Sequence, residues 1–129
     1  MRKLVLIGAL VLGLVTPASA PAAGSGIKGA VVDTTCPGPC VSPPPPPPRY
    51  TGDGLVVKLR RLPGGDLVAT RHPDDGRFRF RAPPGRYRIR AFVREQSQPS
   101  CWEGEAKRVR VIAGAFTRVR LHVSNTCVV

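Results

Sequence analysis

The chain has 129 residues, with 20 Lys and Arg against 8 Asp and Glu and a formal net charge of +12 at neutral pH. One domain fits this length, and there is no room for a second of ordinary size. The basic balance points to acidic partners and leaves the fold open.

The N-terminus has the order of a secretory signal peptide: Arg2 and Lys3, an apolar run from Leu4 to Val15, then Thr16-Pro17-Ala18-Ser19-Ala20. That run of 12 residues is shorter than the roughly 20 needed to cross a bilayer, so no stable membrane anchor is expected. Cleavage fits after Ala18-Ser19-Ala20 or after Ala20-Pro21-Ala22. The second choice makes residues 1–22 the signal peptide and 23–129 a single exported domain. It leaves 107 residues (129 minus 22) with a net charge of +10, because Arg2 and Lys3 depart with no acid. The expected location is extracellular or in the cell envelope.

A first strand is predicted over 26–33, with Ile27, Ala30 and Val32 among its apolar members. A Cys- and Pro-rich loop follows over 34–54, holding Cys36, Cys40 and six consecutive prolines from Pro43 to Pro48. Such a run favours polyproline II, about 3.1 Å per residue and thus roughly 19 Å of stiff chain. Further strands are predicted over 55–61, 67–71, 77–81, 86–92, 107–112 and 116–123. Turn chemistry separates them: Pro63-Gly64-Gly65-Asp66, Pro73-Asp74-Asp75-Gly76, Pro83-Pro84-Gly85, a loop over 96–104, and Ala113-Gly114. Pro84-Gly85 suits the centre of a type II turn. No segment sustains a helical period. Seven short strands at this spacing predict an all-β chain folded as a β-sandwich with one shared core.

Strict alternation divides the strands into two sets. The predicted core comprises Val57, Leu59, Phe78, Phe80, Tyr87, Ile89, Ala91, Val109, Val111, Val119, Leu121 and Val123. The outward set is almost uniform: Arg77, Arg79, Arg81, Arg86, Arg88, Arg90, Arg108, Arg110, Arg118, Arg120 and His122. A solvated strand face in an Arg-rich composition, 16 Arg against 4 Lys, accounts for this without a ligand. The same field is also equipped to bind polyanions, because the guanidinium fork pairs with carboxylate, sulfate or phosphate. Arg79, Arg88, Arg110 and Arg120 are the candidates for that role. In an exported protein the expected partners are a cell-envelope polymer, an acidic glycan or another secreted protein rather than nucleic acid.

Cys36, Cys40, Cys101 and Cys127 all lie in the exported part, an even number in an oxidising compartment, so two disulfides are expected. Three pairings are open. Spacing favours 36 with 40 around Pro37-Gly38-Pro39. It also favours 101 with 127, which lie thirteen residues either side of Gly114 and would meet if 109–113 and 116–123 formed a simple hairpin. A zinc site on these cysteines, or on two of them with His72 and His122, is the weaker alternative, since Cys-x-x-Cys spacing is absent.

No cofactor motif and no nucleophile, base and orienter in recognisable relation are present, and catalysis is not expected. His72 and His122 have no partner identifiable from sequence. Asp74 and Asp75 suit a turn better than a cation site, which needs six or more oxygens. Trp102, beside Cys101, and Tyr50, beside the proline run, are the candidate aromatic contacts for a sugar face, with Trp102 packing over a disulfide as the competing reading.

Gly26-Ile27-Lys28-Gly29-Ala30-Val31-Val32-Asp33, Leu55-Val56-Val57-Lys58-Leu59, Asp75-Gly76-Arg77-Phe78 and Ala82-Pro83-Pro84-Gly85-Arg86-Tyr87-Arg88-Ile89 occur in that order. With Val109-Arg110-Val111 and Val119-Arg120-Leu121 they cover most of residues 24–124. This series resembles the carboxypeptidase regulatory-like domain of the transthyretin-like superfamily, in its small secreted actinobacterial type. The resemblance implies a seven-stranded, prealbumin-like (Ig-like) Greek-key sandwich serving as an accessory or binding module without catalysis. It also implies that a cysteine-containing insert after the first strand is tolerated. Collagen-adhesin B-type domains, a neighbouring group, form a Lys to Asn isopeptide bond with the help of a Glu. The matching position here is Ala91, so Lys28 and Asn125 lack that catalyst.

Overall fold

A computed structural model describes residues 24–36, 40, 42–43, 45–94 and 101–127. The expected signal peptide with both cleavage sites, the Pro37-Gly38-Pro39 tripeptide, Pro44 of the proline run and most of the loop predicted over 96–104 lie outside the described residues.

The described chain is all β, with eight strands in two four-stranded sheets. One sheet holds β1 (Gly26–Asp33), β4 (Arg77–Arg81), β6 (Trp102–Glu103) and β8 (Phe116–Asn125), in the order β4-β1-β8-β6. The other holds β2 (Leu55–Arg61), β3 (Asp66–Arg71), β5 (Gly85–Val93) and β7 (Glu105–Val111), in the order β3-β2-β5-β7. The predicted strands correspond to seven of these, and β6 corrects the count. Its two residues pair with Ser124 and Asn125 at the end of β8. A pairing so short has no period for sequence to display.

The apolar positions meet where alternation sends them. Ile27, Val31, Phe78, Phe80, Leu121 and Val123 from the first sheet face Val57, Leu59, Tyr87, Ile89, Ala91, Val109 and Val111 from the second in one buried cluster. The two sheets are therefore the layers of a sandwich. Val119 is only partly buried at its edge. Tyr87 is fully buried, and its hydroxyl donates to the Pro83 carbonyl at 2.6 Å, which satisfies the one polar atom it brings into the core.

Among the connections between the described strands, β2 to β3 is the only one that stays within a sheet. The expected simple hairpin of 109–113 with 116–123 is accordingly replaced by a corner. Gly114, at φ +79°, makes the turn, but β7 continues along β5 and β8 along β1. Each strand must present its valines to the core from its own layer, so the two separate after the turn. Pro83-Pro84 likewise form a crossover that delivers Gly85 in an extended conformation to β5, rather than a type II turn.

Cys36 pairs with Cys40 and Cys101 with Cys127, each with Cα atoms 5.2 Å apart. The second pair is positioned by β6 against β8: the amide and hydroxyl of Thr126 donate to the Cys101 carbonyl at 2.6 and 3.0 Å. The loop over 34–54 returns to the body and clamps there. Its last residues run beside the end of β1, where the Asp33 amide donates to Pro48 O at 2.8 Å and the Tyr50 amide to Val31 O at 2.9 Å. Gly76, at φ +78°, passes so close to this segment that a Cβ would meet the Tyr50 carbonyl oxygen at 2.6 Å. Beside it, Asp75 accepts the Arg77 amide at 3.0 Å, and that bond holds its carboxyl below the usual range.

In the chain-entropy description, a 26-residue separation makes the Cys101–Cys127 bond worth about 3 kcal/mol, and the local Cys36–Cys40 bond about 2 kcal/mol. Denaturant unfolding of C101S/C127S should therefore show the larger loss, and C36S/C40S the smaller. The reverse order would contradict the β6–β8 clasp as the main covalent constraint.

Candidate functional site

The outward positions of the first sheet come together through strand register. Arg79, Lys28 and Arg118 stand side by side on β4, β1 and β8, and Arg77, Ala30 and Arg120 form the next row. Arg81 lies beside Gly26 and Phe116 in the row beyond. Neighbouring strands are about 4.8 Å apart, and alternate residues along one strand about 6.7 Å apart. Six cations thus share a patch three strands wide.

A small residue at an outward position makes this patch concave: Ala30 stands between Arg77 and Arg120. Gly29 and Ala30 occupy β1 between the arginine-bearing strands, and the open groove above them has a volume of about 730 Å³. Lys28, Arg77, Arg79, Arg118 and Arg120 stand around it. A Cβ on Gly29 would overlap the Val119 carbonyl oxygen, so this close approach of β1 to β8 requires glycine. At the end of the groove the Arg79 guanidinium lies 4.2 Å from the Phe116 ring centroid and Lys28 Nζ 6.0 Å from it. The aromatic face steadies these cations without neutralising them.

Among the described residues no arginine lies within 4.0 Å of a carboxylate; the ion pairs are Lys107 and His122 with Glu105. The groove is consequently a set of cations that no carboxylate contacts, with Asp75 acting on Arg77 only from beyond ion-pair distance. Like charges directly opposite on neighbouring strands disfavour the fold. An anion entering between them removes that repulsion and gains bidentate hydrogen bonds.

The sequence candidates divide between the two outer faces. Arg79 and Arg120 belong to the groove, while Arg88 and Arg110 lie on the opposite side, on β5 and β7 of the second sheet. Lys28, Arg77 and Arg118 complete the groove and were not among the candidates. Their outward parity was readable from alternation, but the adjacency of β1 to both β4 and β8 was not.

Tyr50 departs from the expectation of an exposed stacking ring. It is buried in the core cluster, its hydroxyl donates to Asp53 O at 2.7 Å, and its ring meets Trp102 edge-on with centroids 5.4 Å apart. Trp102 is half-buried against the same cluster, next to the Cys101–Cys127 bond. The pair forms a wedge between the clamped loop and β6.

His122 has a partner after all. Its Nδ1 lies 2.9 Å from Glu105 Oε1, and the same oxygen accepts the His122 amide at 2.9 Å. Lys107 Nζ donates to Arg120 O at 2.7 Å. These β7 side chains cover the edge of β8 that lacks a strand neighbour, and no hydroxyl is hydrogen-bonded to the His–Glu pair among the described residues. The contacts seal an edge. The cysteines are engaged in disulfides, and among the described residues no three of His, Cys, Asp or Glu converge as metal ligands.

No family profile, curated protein or solved structure matches the chain.

Repulsion across the arginine rows gives a direct expectation for stability. The melting temperature should rise as NaCl goes from about 20 to about 300 mM, where the Debye length falls from roughly 20 Å to roughly 6 Å. R118S should raise the melting temperature at low salt and leave it unchanged at high salt. A low-salt decrease would show that Arg118 has a stabilising partner.

Proposed function

We propose that the protein is an exported, non-catalytic binding module for acidic polymers, holding their phosphate, sulfate or carboxylate groups on its arginine faces. The observation that carries this reading is the groove over Gly29 and Ala30, where Lys28 and four arginines stand with no carboxylate in ion-pair contact among the described residues. These side chains project from paired strands rather than loops, so their spacing is preset and binding orders little of the protein. Two disulfides suit an oxidising compartment, where envelope polymers and acidic glycans are the polyanions within reach. The packing of Trp102 on Tyr50 favours this charge-based reading over a sugar-stacking pocket. We further infer the prealbumin-like Greek-key plan of carboxypeptidase regulatory-like domains, with β6 as an added rung. The accessory role implied by that resemblance agrees with a binder that does no covalent chemistry.

Retention on immobilised heparin and binding of long-chain polyphosphate test this. Both should weaken linearly in log salt, with a slope of roughly −5 if about six cations take part. W102F should leave the slope and the affinity unchanged, and neutral dextran should not be retained. Absence of retention at about 50 mM salt, or retention indifferent to salt, would sink the proposal. Tighter binding of duplex DNA at equal charge concentration would replace it with a nucleic-acid reading.

A further inference from the structure

We propose that the two outer faces bind at the same time, so that one molecule ties together two separate polyanion chains. This rests on the polymer-binding reading above and adds valency to it.

The second face repeats the chemistry of the first. Arg60, Arg88 and Arg108 stand in one cross-strand row on β2, β5 and β7, with Arg86 and Arg110 in the row on one side and Lys58 and Arg90 on the other. Each face also has a phenylalanine at one end with two cations over its ring. Arg79 and Lys28 lie over Phe116 on the first, and Arg90 and Lys58 lie 4.9 and 5.5 Å from the Phe92 centroid on the second. No acidic residue occupies an outward position within these rows.

Separation makes the faces independent. Packed sheets are about 10 Å apart, and the outward side chains place the two layers of charge roughly 20 Å from each other. That exceeds two Debye lengths of about 8 Å at physiological salt, so a chain on one face does not repel a chain arriving at the other. The rims discourage one polymer from wrapping both faces. At the seam between β7 and β8 Glu105 offsets Lys107, and Asp74 and Asp75 lie in the connection from β3 to β4. On the β3 edge the exposed Leu67 and Val68 offer an anion nothing to pair with, leaving Arg71 as that strand's single cation. Because a single core joins the sheets, the faces cannot turn toward a common ligand.

A two-step capture experiment separates this inference from the reading beneath it. Protein is bound to immobilised heparin, excess is washed away, and a fluorescent heparin oligosaccharide is offered. The wild type should recruit close to one labelled chain per captured molecule. R77S/R79S/R118S/R120S and R86S/R88S/R108S/R110S each keep one face and should still be captured, while recruiting less than about a tenth as much label. Their melting curves confirm that they are folded. Capture of the wild type without recruitment overturns bridging and leaves polymer binding standing. Recruitment by the single-face variants equal to that of the wild type also overturns it, because the two faces would then not be the two sites. Failure of the wild type to be captured removes both.

Discussion

β1 has a partner on both edges along its length, and much of the remaining architecture follows from that requirement. β8 runs parallel to it from Gly26 to Asp33, while β4 covers the other edge only from Gly26 to Ala30. Beyond Ala30 the amide of Val31 donates to Gly76 O at 2.7 Å, and the returning loop supplies Pro48 O and the Tyr50 amide. A buried strand with unpaired amides would be costly, so the loop after β1 is a structural element despite its composition. Its return puts Tyr50 into the core, Tyr50 supports Trp102, and Trp102 adjoins the Cys101–Cys127 bond.

What sequence discloses and what it conceals follow from the same period of two. Arg77 to Arg81 and Gly85 to Val93 alternate so strictly that both the strands and the direction of each side chain are legible. Val32 breaks the rule: it has outward parity yet is buried, because Arg49 forms a bridge beside it. Tyr50 is hidden for the same reason. Period also says nothing about which strands become neighbours. Arg79 and Arg88 read alike along the chain but stand on opposite sides of the molecule, and Lys28 joins Arg79 and Arg118 only through pairings with strands fifty and ninety residues away. The Cys101–Cys127 pairing was readable from spacing, although a pairing of β6 with β8 brings the two together in place of the imagined hairpin.

Three of the acids are engaged with backbone donors rather than in ion pairs with arginine. Asp33 accepts the Thr35 amide at 2.9 Å, Asp75 the Arg77 amide and Glu105 the His122 amide. Each stabilises a turn or an edge by satisfying a backbone donor, a role that a neutral side chain performs less strongly. The cationic rows are thereby left without ion pairs among the described residues, Asp75 offsetting Arg77 only from a distance. In a domain near one hundred residues, whose core provides little surplus, the two disulfides supply cohesion against this internal repulsion.

The parallel pairing of β1 with β8 also decides how the sandwich bears tension. Gly26 opens one strand and Asn125 closes the other, so forces applied at these two points pull the neighbouring strands past each other along their length. Every hydrogen bond between them is then loaded together in shear, rather than opened one after another as in an unzipping hairpin. The Cys101–Cys127 bond ties the far end of β8 covalently to β6 as well. A pull between Gly26 and Asn125 is thus resisted by the whole β1–β8 seam at once, without an edge that peels first.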